Sequence, residues 1–217
     1  MRLERNPNGN DYRRGSDAFA RVLSFSDGVM TIAITLLVLN INLPIPGNEQ
    51  LAAQADIPRL LQALLPKLNA FLVSFVVVAY AWVGHHRLLA GLERIDNVFI
   101  AWNFVYLLLV VLVPLQSQLI GLYDSNANAL SVYSLGFALL FLCDLVGLRL
   151  SWSRRLVARR PSRRLRLHAT LARLVPVLVF VSTVGMVQVL GTGIANWLWL
   201  AIWPLGMGLD QAFGMRS

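Results

Sequence analysis

The sequence predicts an all-α, polytopic membrane protein folded as one bundle of six transmembrane helices. Of its 217 residues, 57% are hydrophobic and 14% are charged, whereas soluble domains carry about 25% charged residues. The apolar residues fall in six runs of about the length that crosses a bilayer core, and none shows the alternation of β-barrel strands. The predicted helices are residues 22–43, 68–88, 98–120, 130–150, 169–190 and 194–212.

These six helices occupy nearly the whole chain, so we expect a single membrane domain over residues 1–217. The polar residues 1–19 precede the first helix and lack the apolar core of a signal peptide. We therefore expect the first helix itself to direct membrane insertion. Cys143 is the single cysteine, which excludes an intramolecular disulfide.

The basic residues predict the orientation in the membrane. With six spans, 17 of the 19 lysines and arginines fall on one face, and only Arg59 and Lys67 fall on the other. Because positively charged loops stay in the cytoplasm, we predict a multi-pass protein of a prokaryotic plasma membrane with both termini cytoplasmic. The run RRPSRRLR at 159–166 is interpreted as a topology determinant that also touches anionic lipid headgroups. The alternative for this run is docking of nucleic acid or protein, and we expect no nucleic-acid partner.

The remaining elements follow from breaks in the apolar runs. Pro44 to Gly47 predicts a stop after the first helix. The leucines within residues 57–65 predict a short, separate amphipathic helix at the membrane interface. Pro114 predicts a kink near the end of the third helix. Gly191 to Gly193 predicts a tight turn between the fifth and sixth helices.

Ser26 and Asp27 lie near the cytoplasmic end of the first helix, where a charge in lipid needs a partner. The second helix runs in the opposite direction, so its end with Trp82, His85, His86 and Arg87 lies at the same depth, and Asn103 on the third helix can join them. We interpret the group as a polar clasp that holds the first helix in the bundle. A proton relay or an ion site at Asp27 is the alternative.

Two further polar features carry weaker signals. Asp144 lies in the middle of the fourth helix, and its role is open at this stage. His85 and His86 are adjacent, so their side chains diverge by about 100°. No His, Cys or Glu lies four residues away to complete a pair, and we predict no metal site and no cofactor.

An apolar stripe marks a different face of the first helix. Ile32, Leu36 and Leu39 recur at helical spacing, and Asp27 lies roughly 140° around the helix from Ile32. Periodicity alone leaves two partners open for this stripe, namely lipid or another copy of the same helix.

The residues of the first half resemble a known channel family. The pattern Arg21-x-x-x-Phe25-Ser26-Asp27-Gly28-Val29, followed by an apolar helix, resembles the first helix of prokaryotic members of the transmembrane protein 175 family. Residues Trp82-x-x-His85-His86-Arg87 and Asn103 with Pro114 resemble the same family. The resemblance covers about the first 120 residues; the later helices agree in number and hydrophobicity.

This resemblance implies a potassium-selective channel, and not an enzyme. It implies a homotetramer in which four copies of the first helix line the pore and Ile32, Leu36 and Leu39 narrow it, with Thr35 contributing to selectivity. It also assigns Phe25, Ser26 and Asp27 to packing of the pore helix. The competing hypothesis is a proton-coupled secondary transporter that uses Asp27, His85 and Asp144.

Overall fold

The computed structural model describes residues 11–41 and 57–214 and is almost entirely helical in these ranges. Its helices are α1 (Asp17–Leu36), α2 (Ile57–Ala90), α3 (Asn97–Val111), α4 (Val113–Leu122), α5 (Ala127–Ser153), α6 (Arg163–Leu190), α7 (Ala195–Leu200) and α8 (Ile202–Ala212). Two three-residue strands, β1 (Asp11–Arg13) and β2 (Arg94–Asp96), accompany them. Residues 42–43 of the predicted first helix, the stop at 44–47 and residues 1–10 lie outside the described ranges.

Five stretches of the described chain are long and apolar enough to cross a membrane. They are Asp17–Asn40, Leu60–Ala90, Asn97–Leu122, Ala127–Ser153 and Arg163–Leu190. The all-α, six-helix membrane fold predicted from the sequence is confirmed, with α7 and α8 together forming the sixth helical segment.

Helix ends follow local side-chain chemistry. Ser16 caps α1 by accepting a hydrogen bond from the Phe19 N–H, so α1 begins five residues before its predicted start. Ser162 caps α6 in the same way, so α6 begins six residues before its predicted start and takes in Arg163, Arg164 and Arg166. Arginine is a good helix former, which explains why this loop is shorter than the sequence prediction.

The prediction of a separate helix at 57–65 is wrong. The structure has one continuous helix, α2, that passes through Pro66. Helices in membranes tolerate an internal proline because neighbouring groups can satisfy the carbonyl that it frees. The kink at Pro114 is confirmed, since α3 ends at Val111 and α4 begins at Val113.

The last predicted helix, 194–212, is not continuous. A 3₁₀ turn at Thr192–Ile194 leads into α7, and the chain breaks at Ala201 before α8. Pro204 lacks the N–H that would bond the Leu200 carbonyl, which accounts for the break. The segment still returns to the arginine-rich end, because Asp210 lies 2.7 Å from His168 and Arg164 donates to the Phe213 carbonyl.

The core lies between α5 and α6, which share the most extensive contact in the molecule. Five aromatic rings fill it: Tyr133, Phe137 and Phe141 from α5, Phe180 from α6 and Trp199 from α7. Helices α3 and α4 pack against α5, and α1 packs mainly against α3 and α2. This arrangement leaves α1 at the periphery of the single chain.

Candidate pore helix and its polar anchor

Helix α1 buries one narrow stripe in the bundle. Ser26, Met30 and Ala33, together with Leu37 just beyond the helix, are all buried. Their spacings of four, three and four residues place them on one face. This stripe contacts the rest of the chain mainly through α3 and α2.

The predicted constriction residues lie on the other side of α1 and of the 3₁₀ turn, Leu37–Asn40, that continues it. Ile32 is 60% exposed, Leu36 40% and Leu39 65%. Thr35 is exposed on the same side, and its hydroxyl donates to backbone carbonyls one turn earlier in the helix. The Thr35 hydroxyl proton is therefore used within the helix, while its oxygen lone pairs remain accessible.

A buried hydrogen-bond chain anchors α1 to α3. The Asn103 side-chain amide donates to the Ser26 hydroxyl at 2.8 Å, and that hydroxyl donates to the Val22 carbonyl at 2.8 Å. Ser26 is fully buried and Asn103 is 1% exposed. Because no water competes at this depth, the interaction fixes the rotation of α1 about its own axis.

Asp27 lies beside this anchor and is half-exposed. The Trp82 indole N–H donates to the Asp27 carboxylate at 3.1 Å. The His86 ring nitrogen Nδ1 lies 3.9 Å from the same oxygen, and its ring stacks on Trp82. The neighbour of Asp27 is therefore His86 rather than His85, which the sequence pattern had grouped with it.

His85 contacts α3 instead. It is 1% exposed and stacks on Tyr106 with ring centroids 4.2 Å apart and planes nearly parallel. The ring centroid of Trp102 lies 5.8 Å from that of His85. Sequence reasoning missed Tyr106 and Trp102, although their helical spacing with Phe99 and Asn103 marks a buried face of α3.

Arg21 and Phe25 complete the recognised motif on α1. Arg21 is exposed. Phe25 is half-exposed and its ring lies 5.6 Å from that of Phe104 on α3. Phe25 therefore contacts the neighbour that Ser26 also contacts.

Asp144, whose role the sequence left open, forms an ion pair with Arg173. Nε of Arg173 lies 2.7 Å from Oδ2 of Asp144, and Asp144 is 4% exposed. A guanidinium nitrogen of Arg173 also donates to the Gly84 carbonyl. The pair joins α5 and α6 to α2, away from α1.

The start of α1 is tied to two other segments at the same end of the bundle. Strand β1 pairs antiparallel with β2, and Arg94 bonds Asp11 at 3.0 Å. Arg154, just after α5, pairs with Asp96. The backbone of Glu93 bonds the Leu156 carbonyl. We call this assembly the basal clamp; it links the base of α1 to the α2–α3 and α5–α6 connections.

The comparison with known proteins centres on α1 to α3. Residues 21–114 match the family model described as the endosomal/lysosomal potassium channel TMEM175. Over these residues the chain is similar to the TMEM175 family. This segment contains every predicted constriction and packing residue, from Arg21 to Asn103.

Bacterial and vertebrate TMEM175 relatives match the same half. A potassium channel of Chamaesiphon minutus is 38% identical over 109 residues, which is 50% of this chain and 52% of that protein. A potassium channel of Streptomyces collinus is 37% identical over 123 residues, covering 53% and 55%. The human endosomal/lysosomal proton channel TMEM175 is 28% identical over 105 residues, covering 48% and 20%. The match spans about half the length of the bacterial relatives.

Solved structures extend the similarity to the whole fold. The crystal structure of a lysosomal potassium-selective channel TMEM175 homolog from Chamaesiphon minutus superposes with a TM-score of 0.70 and 26% identity, covering 91% of this chain and 99% of that one. The potassium channel MtTMEM175, in complex with a nanobody fusion, gives a TM-score of 0.54 at 17% identity, covering 99% and 100%. This second likeness concerns the fold alone. The second half of the chain therefore shares the TMEM175 architecture.

Proposed function

We propose that this chain is the subunit of a potassium-selective, leak-type channel, with four copies of α1 around a central pore. The observation that carries the proposal is the division of α1 into a buried stripe at Ser26, Met30 and Ala33 and an exposed apolar stripe at Ile32, Leu36 and Leu39. One chain supplies one such helix, so a closed pore requires symmetric assembly. The potassium-channel names of the bacterial relatives support the same function.

The mechanism rests on an apolar constriction. Rings of Ile32, Leu36 and Leu39 offer no ligand to a dehydrated ion, so ions cross with part of their hydration shell or the ring dewets and closes. Potassium holds its water less tightly than sodium, which favours potassium in a narrow ring. We propose Ile32 as the narrowest ring. Thr35 adds hydroxyl lone pairs that can replace a water of the permeating ion.

The polar anchor has a positioning role in this proposal. The Asn103–Ser26 hydrogen bond sets the rotation of α1 against α3. The Trp82–Asp27 hydrogen bond adds a second contact, between α1 and α2. His85 packs α2 against α3 through Tyr106. With both contacts made toward the bundle, the Ile32 side of α1 faces away from it.

We place the protein in a prokaryotic plasma membrane as a single domain of residues 1–217. Both termini lie in the cytoplasm, in contact with anionic lipid through the basic residues. The return of α8 to the end where α6 begins supports an even number of crossings.

The rival function is a proton-coupled transporter using Asp27, His85 and Asp144. The contacts of these residues favour the channel. Asp27 bonds Trp82, His85 stacks on Tyr106, and Asp144 is paired with Arg173. No hydrogen bond joins any two of the three in the part of the chain that the structure describes.

Flux from liposomes separates the two functions. The purified chain should carry potassium down its gradient faster than sodium, without a proton gradient, and should run as a tetramer. Saturable flux that requires a pH gradient would support the transporter. A tetrameric protein that carries neither potassium nor sodium, with or without a pH gradient, would reject both functions.

A further inference from the structure

Two adjoining cavities form a groove between α2, α5 and the last helices of the chain. One, of about 200 Å³, lies between α2, α5 and the α7–α8 segment, and Leu72, Val76 and Leu200 are among its lining residues. The other, of about 360 Å³, is lined by residues of α2, α5, α6 and α8. The two share Tyr80, Phe141 and Ile202. We call them the apolar and the polar compartments.

The compartments differ sharply in chemistry. The apolar compartment is walled almost wholly by hydrocarbon, and its side chains Leu72 and Leu200 are more than half exposed, so it opens toward the membrane. The polar compartment carries Arg87, Asp144, His168, Arg173 and Asp210. It extends toward the basic end of the bundle, where Arg87 ends the second span. A groove with an apolar part facing the membrane interior and a charged part at the basic end is suited to a lipid, whose acyl chain and headgroup are arranged in the same order.

The charges of the polar compartment favour an anionic headgroup. Asp144 is paired with Arg173, and Asp210 with His168. Arg87 is exposed and has no ion-pair partner among the described residues, so it is the lining charge left without a counter-ion. Basic pockets between membrane helices at this depth are suited to phosphate-bearing headgroups.

A second observation points to a ligand that also donates hydrogen bonds. Asp144 is 4% exposed, and its Oδ1 has no hydrogen-bond partner in the described chain although Oδ2 is paired with Arg173. A buried acceptor without a donor is unfavourable by about 1–3 kcal/mol. A glycerol headgroup carries hydroxyl donors beside its phosphate and supplies both requirements.

We propose that this groove binds one phosphatidylglycerol molecule per subunit from the cytoplasmic leaflet. An acyl chain occupies the apolar compartment, the phosphate faces Arg87, and headgroup hydroxyls enter the polar compartment toward Asp144. The site lies outside residues 21–114 apart from its α2 wall. It is independent of whether Ile32 lines a pore, so its test does not depend on ion flux.

Native mass spectrometry of the full chain, titrated with phosphatidylglycerol or phosphatidylcholine of identical acyl chains, tests the site. The wild type should retain phosphatidylglycerol preferentially, at one molecule per subunit. Arg87→Gln should weaken that retention about fivefold, the effect expected for one arginine near an anionic lipid surface. Arg159→Gln, at an exposed arginine away from the groove, is the matched control for the general attraction of the basic surface to anionic lipid, and it should weaken retention much less than Arg87→Gln does.

Variants that fill the apolar compartment test whether an acyl chain binds there. Val76→Trp should reduce retention of both lipids, whereas Val132→Trp, at an exposed valine of α5 that does not line the groove, should not. Leu72→Trp provides a second filling variant if Val76→Trp does not assemble. Equal loss in Arg87→Gln and Arg159→Gln would overturn the proposal. So would filling variants that change the subunit count while lipid retention stays intact, since a neighbouring subunit would then cover the groove.

Discussion

At the residue scale, Trp102 packs directly against Gly147. A Cβ added to Gly147 would lie 1.9 Å from a ring carbon of Trp102, far closer than two non-bonded carbon atoms can approach. The Trp102 indole N–H donates to the Cys143 carbonyl at 2.8 Å, which holds the ring over this glycine. Because Gly147 has no side chain, α3 and α5 can approach each other closely here. The Trp102 indole cannot move aside without losing its hydrogen bond to Cys143.

We therefore expect Gly147→Ala to lower the free energy of unfolding by about 1–3 kcal/mol through overpacking. Gly185→Ala is the control, because an added Cβ there meets open space and alanine favours the helix. Thermal unfolding of both purified variants measures the difference. Equal melting temperatures would show that Trp102 does not occupy this position.

The Ser26–Asn103 bond permits a second prediction. Asn103→Ala leaves the Ser26 hydroxyl oxygen without its buried donor and should destabilise by about 1–3 kcal/mol. Asp27→Asn should cost less, since Asp27 is half-exposed and the asparagine carbonyl can still accept from Trp82. Melting temperatures of the two variants, with subunit count recorded, test the order. A larger loss from Asp27→Asn would mean that the carboxylate charge itself anchors α1.

At the element scale, the sequence predicts what hydrophobic length and helix-breaking residues determine. The six apolar runs and the break at Pro114 follow from these signals alone. The strands β1 and β2 do not, because three residues are too few to show alternation and their pairing joins segments 83 residues apart. The sequence also does not predict the partner of Asp144, because an ion pair between α5 and α6 depends on how each helix is rotated about its axis.

The candidate site shows the same division. Periodicity on α1 separates the Ile32 stripe from Ser26 and Asp27, and antiparallel order places Trp82 at the depth of Asp27. Choosing between His85 and His86 required the rotation of α2, which depends on burial of His85 against Tyr106. Residue type alone does not distinguish two adjacent histidines.

The basal clamp is the element-scale feature that a mutation can test. Asp96 caps α3 by accepting from the Phe99 N–H at 2.8 Å and also pairs with Arg154. Asp96→Ala removes both contacts and should destabilise by about 0.5–2 kcal/mol from the cap alone. Arg154→Gln removes only the ion pair, and it should cost less than Asp96→Ala because the Phe99 N–H still bonds the carboxylate. Thermal unfolding distinguishes them, and equal losses would show that the cap contributes nothing.

At the scale of the whole molecule, the two halves of the chain have different roles. Helices α1 to α3 carry the TMEM175 match and all the proposed pore residues. Helices α5 and α6 form the aromatic core, and the basal clamp connects that core to the base of α1. The single chain leaves the Ile32 stripe uncovered, and the proposed tetramer gives that stripe its partners.

Reversal potentials of Ile32→Asn and Val38→Asn under a potassium/sodium gradient test this central claim most directly. The two residues are similarly exposed, at 60% and 51%, but Val38 lies in the 3₁₀ turn Leu37–Asn40, on a different face from Ile32. Ile32→Asn should wet the narrowest ring, raise the current and shift the reversal potential toward zero, while Val38→Asn should keep the wild-type value. Equal shifts in both variants, or no shift in either while current persists, would contradict a pore lined by this stripe.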